Sequence, residues 1–183
     1  MANFKSKLPK VETSIFTVMS QLANECGAIN LSQGFPNFKI DDVLKNYVKE
    51  GLDLDEVQYA PMTGRKDLRN AISNKIKEQH QIDVNSDAEI TITAGATQAI
   101  YTIFSAVLNT GDEVIIFDPA YDCYDPSIKL QGAITVHIEL EHPTYSINWS
   151  KVKRAINSNT KMIVVNNPHN PTGAILSEND ILE

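Results

Sequence analysis

Long apolar runs, cysteine and positive charge are all scarce in this sequence of 183 residues. No apolar run approaches the roughly 18 residues that a membrane-spanning helix needs. The first ten residues, MANFKSKLPK, carry positive charge but are followed by no apolar stretch, so they do not read as a secretory signal. The formal net charge of −7 argues against nucleic acid or an anionic membrane surface as the main partner.

The two cysteines, Cys26 and Cys123, lie far apart in the sequence. In the absence of a secretory signal we expect two free thiols and a cytoplasmic protein. No histidine is near Cys123 in sequence, so we expect a buried small apolar residue there rather than a nucleophile. The four histidines do not fall at metal-ligand spacings with cysteines or carboxylates, so no metal site is expected. With 42% hydrophobic and 21% charged residues, the composition is that of a globular protein.

The first half of the sequence predicts three helices separated by loops. Thr13 or Ser14 can cap the first helix, and Gly27 can stop it. Asp41 or Asp42 opens the second helix. The third has an apolar face made of Leu68, Ala71, Ile72 and Ile76.

From residue 89 onward, strand and helix patterns alternate. The helix after the first strand is so apolar that we expect it to be covered on most sides. The last strand is expected to be buried, and the third to lie nearer an edge. This order predicts an α/β fold with three layers, in which a mostly parallel sheet carries helices on both faces. The predicted strands are 89–94, 113–117, 133–140 and 161–165, and the predicted helices are 96–108, 124–130 and 149–156.

Ligands bind at the carboxyl ends of the strands in such sheets, and the first such place is Gly95-Ala96-Thr97. The strand is expected to run through Gly95 directly into a helix, which would leave the amides of these three residues unpaired. Such a helix terminus suits a phosphate, and the Thr97 hydroxyl adds a donor. Plain helix capping is the alternative. The segment matches neither the dinucleotide-binding glycine fingerprint nor the P-loop pattern.

Two further places follow later strands. Tyr121, in DPAYDCY, would sit at the mouth of the sheet, where it could stack on a flat ring or simply pack at the rim. The run VVNNPHNPTG combines two prolines and a glycine with the neutral amides of Asn166, Asn167 and Asn170. A rigid loop of this kind suits a polar ring substituent or a carboxylate.

Two loops in the first half of the chain also offer candidate residues. Gly34 lies in a loop with little charge and allows close approach to the backbone. Tyr59 precedes a glycine-bearing turn, where its phenol could bond a phosphate or pack against the protein.

Taken together, the motifs resemble those of a known family. LSQGFPNF, QYAPMTGRKDLR, TAGATQAIY, GDEVIIFDPAYDCY and NNPHNPTG follow one another in this order. In this the sequence is similar to the class I aminotransferases of fold type I, which depend on pyridoxal phosphate. The resemblance runs from about Ser14 to the last residue. It is strongest to the branch with methionine, glutamine-phenylpyruvate and kynurenine aminotransferases.

The resemblance implies pyridoxal 5'-phosphate as cofactor, and an amino acid and a 2-oxo acid as substrates. It implies that Gly95, Ala96 and Thr97 hold the cofactor phosphate and that Tyr121 stacks on the pyridine ring. It further implies two tasks for Asn170, which would bond the ring hydroxyl and lie near the substrate carboxylate.

For the first half of the chain, the resemblance places Gly34 in the loop that closes over the substrate. It matches Tyr59 to a tyrosine that reaches the phosphate in a neighbouring subunit, which implies a homodimer. It assigns no role to Asn166. It divides the chain into residues 1–40, a helix and substrate loop of the small domain, and residues 41–183, the first portion of the cofactor-binding large domain.

The family places a Schiff-base lysine, an aspartate for the pyridine nitrogen and a carboxylate-binding arginine further along than these 183 residues reach. None of the thirteen lysines here is in a comparable setting. We therefore expect the N-terminal half of a transaminase-like protein, with no catalytic residue among these 183, that is inactive by itself. A carbon–sulfur β-lyase and a non-catalytic remnant or partner subunit are the alternatives. The amino donor and acceptor are not identified.

Overall fold

The computed structural model describes residues 5–9, 11–54 and 58–183. These residues form two compact units. One is Glu12–Ile92, and the other is Thr93–Glu183 together with the described residues that precede Glu12. In the described part of the chain, no helix is both long enough and apolar enough to cross a membrane.

The unit Glu12–Ile92 contains the three helices that the sequence predicts. The Ser14 side chain accepts a hydrogen bond from the Thr17 amide and caps the first helix. The backbone then turns at Gly27, where φ is +60°. Asp41 caps the second helix, since its carboxylate accepts from the Val43 amide at 2.7 Å. The helices are α1 (Ile15–Glu25), α2 (Asp42–Asp53) and α3 (Lys66–His80).

A buried arginine ties α3 to the loops on both sides of it. The Arg69 guanidinium donates to the Gly64 carbonyl at 3.1 Å, to the Ser86 carbonyl, and to the Asp87 carboxylate at 3.2 Å. Gly64 has φ of +94°, and a Cβ placed on it would lie 2.3 Å from Cγ1 of Ile92. Only glycine fits at this position, because the loop passes directly against Ile92.

The second unit is built on a parallel sheet of three strands in the order β2-β1-β3. The central strand, β1, is buried in its middle four residues. Its register pairs Ile116 with His137 of β2 and Ile115 with Ile163 of β3. The elements are α4 (Ala96–Val107), β1 (Glu113–Asp118), α5 (Tyr124–Leu130), β2 (Ile134–Glu139), α6 (Trp149–Ala155), β3 (Thr160–Ile163) and α7 (Glu178–Leu182).

Two apolar clusters lie on opposite faces of this sheet, because successive side chains of β1 point to opposite sides. Val114 and Ile116 pack with residues of α4 and α5, including Phe104 and Ile128. On the other face, Ile115 and Phe117 pack with Ile138 of β2 and Val152 of α6. The predicted α/β fold, with a parallel sheet between two helical layers, is confirmed.

The predicted strand over residues 89–94 is wrong. Within the described residues this segment belongs to no sheet, although the Ile92 amide donates to the Thr63 carbonyl at 3.0 Å. Alternating side chains make a segment suitable for a strand, but a strand also needs a neighbour with which to exchange hydrogen bonds.

Three expectations about burial are also wrong. The last strand, β3, alternates between half-buried and exposed residues because it lies at an edge of the sheet. Helix α4 buries only Phe104, and Ile103 is 51% exposed, since the helix packs on one sheet face and against α5. Cys123 is half-buried at the margin of the first cluster instead of inside it. Both cysteines are free thiols, as expected.

Candidate cofactor site

The start of α4 lies beside the segment that follows β1. The hydroxyl oxygens of Thr97 and Tyr121 are 3.2 Å apart. Thr97 is the second residue of α4, and Tyr121 comes three residues after the last residue of β1. The structure therefore brings together the first two places that the sequence predicts.

A chain of contacts connects the third place to these two. The rings of Tyr121 and Tyr124 meet edge to face, with centroids 5.7 Å apart. The Asn166 side-chain amide donates to the Tyr124 hydroxyl at 3.1 Å, and its carbonyl oxygen accepts from the Asn170 backbone amide at 2.9 Å. Contacts thus run without a break from Thr97 to Asn170.

The sequence offered Asn166 only as one of three neutral amides, with no role assigned, and gave Tyr124 no part in the site. In the structure Asn166 holds the backbone of Asn170 on one side and Tyr124 on the other. The run NNPHNPTG shows an amide at the end of a strand, but no sequence signal names its partner 42 residues away.

The N-terminus of α4 offers amide donors, although one fewer than the sequence predicts. The Gly95 amide donates to the Thr93 carbonyl at 2.9 Å, so the expectation of three unpaired amides is wrong. The chain turns sharply where it enters the helix, and this turn brings the Gly95 amide within hydrogen-bond distance of the carbonyl two residues earlier. Among the described residues the amides of Ala96 and Thr97 have no acceptor and remain free at the positive end of the helix.

The turn at Gly95 leaves room beside these two amides. Gly95 has φ of +89°, a conformation that side-chain-bearing residues rarely adopt, and a Cβ placed on it would meet nothing within 4 Å. A ligand can therefore approach the backbone there.

The loop that carries Asn170 is held by its own hydrogen bonds. The His169 amide donates to the Ala174 carbonyl at 2.8 Å, and the Gly173 amide donates to the His169 carbonyl at 2.7 Å. The His169 ring nitrogen Nδ1 lies 2.8 Å from the Thr172 hydroxyl. Partial burial lowers the pKa of His169, which favours the neutral imidazole. Asn170 itself is exposed, so its side-chain amide is accessible to a ligand.

Charged groups lie at both ends of the segment 118–125 that carries Tyr121. His137 Nδ1 is 2.8 Å from Oδ2 of Asp118, and its Nε2 is 3.6 Å from Oδ1 of Asp125. Lys129 Nζ is 2.7 Å from the other oxygen of Asp125. Burial raises the pKa of Asp125, but the hydrogen bond from Lys129 and the nearby charges outweigh it and hold that pKa below its ordinary value.

Gly34 and Tyr59 lie in the other unit, Glu12–Ile92. Gly34 is exposed in the loop between α1 and α2, with nothing within 4 Å of a Cβ placed on it. Tyr59 is fully exposed. Their roles at the site stay predictions.

Residues 27–183 match the family model for aminotransferase class I and II. The chain belongs to this family. Its members depend on pyridoxal phosphate, so the resemblance seen in the motifs is confirmed.

Among the family's curated members, a methionine aminotransferase from Escherichia coli is 41% identical over 180 residues. That match covers 96% of this chain and 46% of the relative. The human kynurenine–oxoglutarate transaminase 3 is 30% identical, over 96% of this chain and 41% of the relative. The chain thus spans about half the length of the curated relatives it matches.

Solved structures of family members share this fold. A crystal structure of an Escherichia coli protein with methionine aminotransferase function has a TM-score of 0.95 and 40% identity, and covers 100% of this chain and 48% of that one. The N-succinyldiaminopimelate aminotransferase of Mycobacterium tuberculosis has a TM-score of 0.91 and 31% identity, with coverage of 98% and 47%. The fold-type I architecture is therefore established for this chain.

The site has groups suited to three parts of pyridoxal phosphate, namely its phosphate, one face of its ring and a ring oxygen. The free amides of Ala96 and Thr97, with open space beside Gly95, suit the dianionic phosphate. Tyr121 supplies a partly exposed aromatic face for the ring, and Asn170 supplies an accessible amide for a ring oxygen. The residues present fit the cofactor of the family.

Proposed function

We propose that these residues form the cofactor-holding part of an aminotransferase that moves an amino group from an amino acid to a 2-oxo acid. The observation that carries the proposal is the unbroken line of contacts from Thr97 to Asn170, beside two free amides at the start of α4. Pyridoxal phosphate, when bound, supplies the electron sink for this chemistry. The protein supplies binding and orientation.

In this proposal the two ends of the cofactor are held by different forces. The phosphate is bound by the amides of Ala96 and Thr97, the Thr97 hydroxyl and the positive end of α4, with Gly95 as the turn that opens the space. The ring is stacked by Tyr121. The hydroxyl of the cofactor ring would accept a hydrogen bond from the Asn170 side-chain amide, which would also lie near the substrate carboxylate.

We propose a large neutral substrate such as methionine, glutamine, an aromatic amino acid or kynurenine. The named activities of the methionine and kynurenine relatives support this choice. The loop with Gly34 is proposed to close over the substrate.

We also propose a cytoplasmic homodimer, with residues 1–40 in the small domain and 41–183 in the large one. Full exposure of Tyr59 supports a contact with a second subunit's cofactor phosphate. The two unpaired thiols support a reducing compartment.

We further propose that residues 1–183 do not transaminate by themselves. None of the thirteen lysines in this sequence matches the Schiff-base lysine of the family. Without that amine there is no nucleophile to hold the cofactor covalently and no base to shuttle the substrate proton.

The test uses the native-length protein, meaning the polypeptide as its source cells make it, beside residues 1–183 alone. Each is mixed with pyridoxal phosphate, one of the four donors and a 2-oxo acid acceptor. Mass spectrometry then follows the 2-oxo acid of the donor. We expect that product from the native-length protein and none from residues 1–183.

Other products would overturn the proposal in distinct ways. Ammonia and pyruvate from a cysteine S-conjugate, with no new 2-oxo acid from any donor, would identify a β-lyase. No product of either kind from the native-length protein would identify a non-catalytic remnant. Turnover by purified residues 1–183 would refute their proposed inactivity.

A further inference from the structure

An imidazole lies between two carboxylates at the edge of the candidate site. His137, on the edge strand β2, has Nδ1 2.8 Å from Asp118 and Nε2 3.6 Å from Asp125. Asp118 is the last residue of β1, and Asp125 is the second residue of α5. These two carboxylates mark the two ends of segment 118–125, which carries Tyr121 and Tyr124.

We propose that His137 is a positioning residue for the cofactor ring, because it fixes the segment on which Tyr121 is carried. The inference rests on the proposed function, in which Tyr121 stacks on that ring. His137 is placed to act through Asp118 and Tyr121, and no role in touching the cofactor is assigned to it.

The position of His137 is not explained by core packing. Its side chain is 43% exposed, and it belongs to neither apolar cluster. The neighbouring positions that point to the other face of β2, Val136 and Ile138, pack in the second cluster. The contacts that His137 does make are polar ones, with segment 118–125.

Other contacts fix the segment at Tyr121, Tyr124 and Asp125, but among the described residues the side-chain partner of the Asp118 carboxylate is His137. The Leu140 amide donates to the Asp118 carbonyl at 2.9 Å, which holds the backbone at the end of β1. Beyond that point the Tyr121 hydroxyl meets Thr97, which is itself exposed. A side-chain hydrogen bond at Asp118 restricts the conformations of the turn in the cofactor-free protein. Less conformational entropy is then lost when the cofactor ring binds against Tyr121, so the cofactor binds more tightly.

The two ring nitrogens make unequal contacts, which gives the inference a sharp test. Nδ1 is at hydrogen-bond distance from Asp118, whereas Nε2 is beyond it from Asp125. An asparagine side chain places its amide nitrogen near the position of Nδ1, and a glutamine reaches the position of Nε2. His137→Asn therefore keeps the tie to Asp118, and His137→Gln loses it.

The experiment measures the dissociation constant of pyridoxal phosphate from the native-length protein by titration of the cofactor absorbance. We expect H137A and H137Q to raise it about fivefold, the worth of one ordinary hydrogen bond, and H137N to stay within about twofold of the wild type. Equal effects of H137N and H137Q, or none from either, would overturn the inference. If H137A does not fold, the comparison of H137N with H137Q decides alone.

A double-mutant cycle distinguishes positioning through Tyr121 from a general structural effect. In the background Y121A, we expect H137Q to add less than about twofold, since the ring it positions is gone. Full additivity would refute the route through Tyr121.

The same cycle separates the failure of this inference from the failure of the proposed function. If Y121A weakens cofactor binding and H137Q does not, only the inference fails. If Y121A has no effect, the stacking role of Tyr121 fails and the inference falls with it.

Discussion

The hydroxyls of Thr97 and Tyr121 lie 3.2 Å apart, although 24 residues separate them in the chain. One comes from the first turn of α4 and the other from the turn after β1. The contact places the free amides at the start of α4 next to an aromatic side chain, an arrangement that suits the proposed binding of a phosphorylated ring compound. It also makes the Thr97 hydroxyl a shared group, whose loss affects both parts of the site.

The first prediction distinguishes the contribution of the Thr97 hydroxyl to cofactor binding from that of the shape of the side chain. Thr97→Val keeps the shape and removes the hydroxyl, so we expect pyridoxal phosphate to bind about tenfold more weakly, as for loss of a hydrogen bond to a charged group. Thr97→Ser keeps the hydroxyl and serves as control. Tyr121→Phe keeps the aromatic ring and should weaken cofactor binding less than T97V does. Cofactor titration measures these affinities. If T97S bound pyridoxal phosphate as weakly as T97V, the proposed role of the hydroxyl would be contradicted.

The second prediction concerns Gly64 and its close approach to Ile92. Gly64→Ala places a Cβ 2.3 Å from the Ile92 side chain at φ +94°. We expect it to lower the free energy of unfolding by about 2–4 kcal/mol, from overpacking and backbone strain together. The control is Gly51→Ala in α2, where a Cβ meets nothing within 4 Å. That change should stabilise by about 0.5–1 kcal/mol. Urea unfolding of both variants measures the contrast, and equal effects would refute it.

The third prediction is a dependence of stability on acid pH at Asp67. Hydrogen bonds from Arg65 and from the Leu68 amide lower the pKa of Asp67 from 3.8 to about 2. Because the folded pKa is depressed, ionised Asp67 stabilises the fold above about pH 4, and this contribution is lost as the pH falls towards 2. The gap in urea midpoint between wild type and Asp67→Asn should therefore be constant above pH 4 and close near pH 2.

The matched background for that experiment is Arg65→Gln, which removes the largest cause of the shift. There the gap caused by D67N should be smaller at neutral pH, since the backbone hydrogen bond from Leu68 remains. A gap that widens as the pH falls would have the wrong sign and would reject the linkage.

The fourth prediction distinguishes the two thiols. Cys26 is exposed just after α1, whereas Cys123 is half-buried, and burial together with Asp122 raises its pKa. The thiolate is the reactive form, so a thiol reagent at pH 7 should modify Cys26 first. Cys26→Ser should abolish the fast phase and Cys123→Ser should preserve it. Retention of the fast phase in C26S would overturn the assignment.

Local patterns in the sequence were sufficient for most of the helices and strands. Ser14 and Asp41 cap the helices that they were expected to cap, because a capping side chain bonds amides only a few residues away. The strand predicted over residues 89–94 was wrong, because strand formation requires a neighbouring strand and no local sequence pattern shows whether one is present. The same limit explains α4, whose apolar composition did not reveal how much of it would be covered.

The candidate site divides in the same way. The segments around Gly95, Tyr121 and Asn170 could be named from the sequence because turns and strand ends have local signatures. The links between them could not. Asn166 reaches Tyr124 across 42 residues, and His137 reaches Asp118 across 19.

The sequence by itself determined the family, most of the alternation of helices and strands, and three segments suited to a phosphorylated ring. Each of these depends on residues close together in the chain. Only the tertiary structure decided that the Gly95 amide is used within its own turn, that β3 lies at an edge, that Asn166 bonds the Tyr124 hydroxyl and that His137 meets Asp118. Those contacts depend on which distant segments the parallel sheet places side by side, and that arrangement is a property of the whole fold.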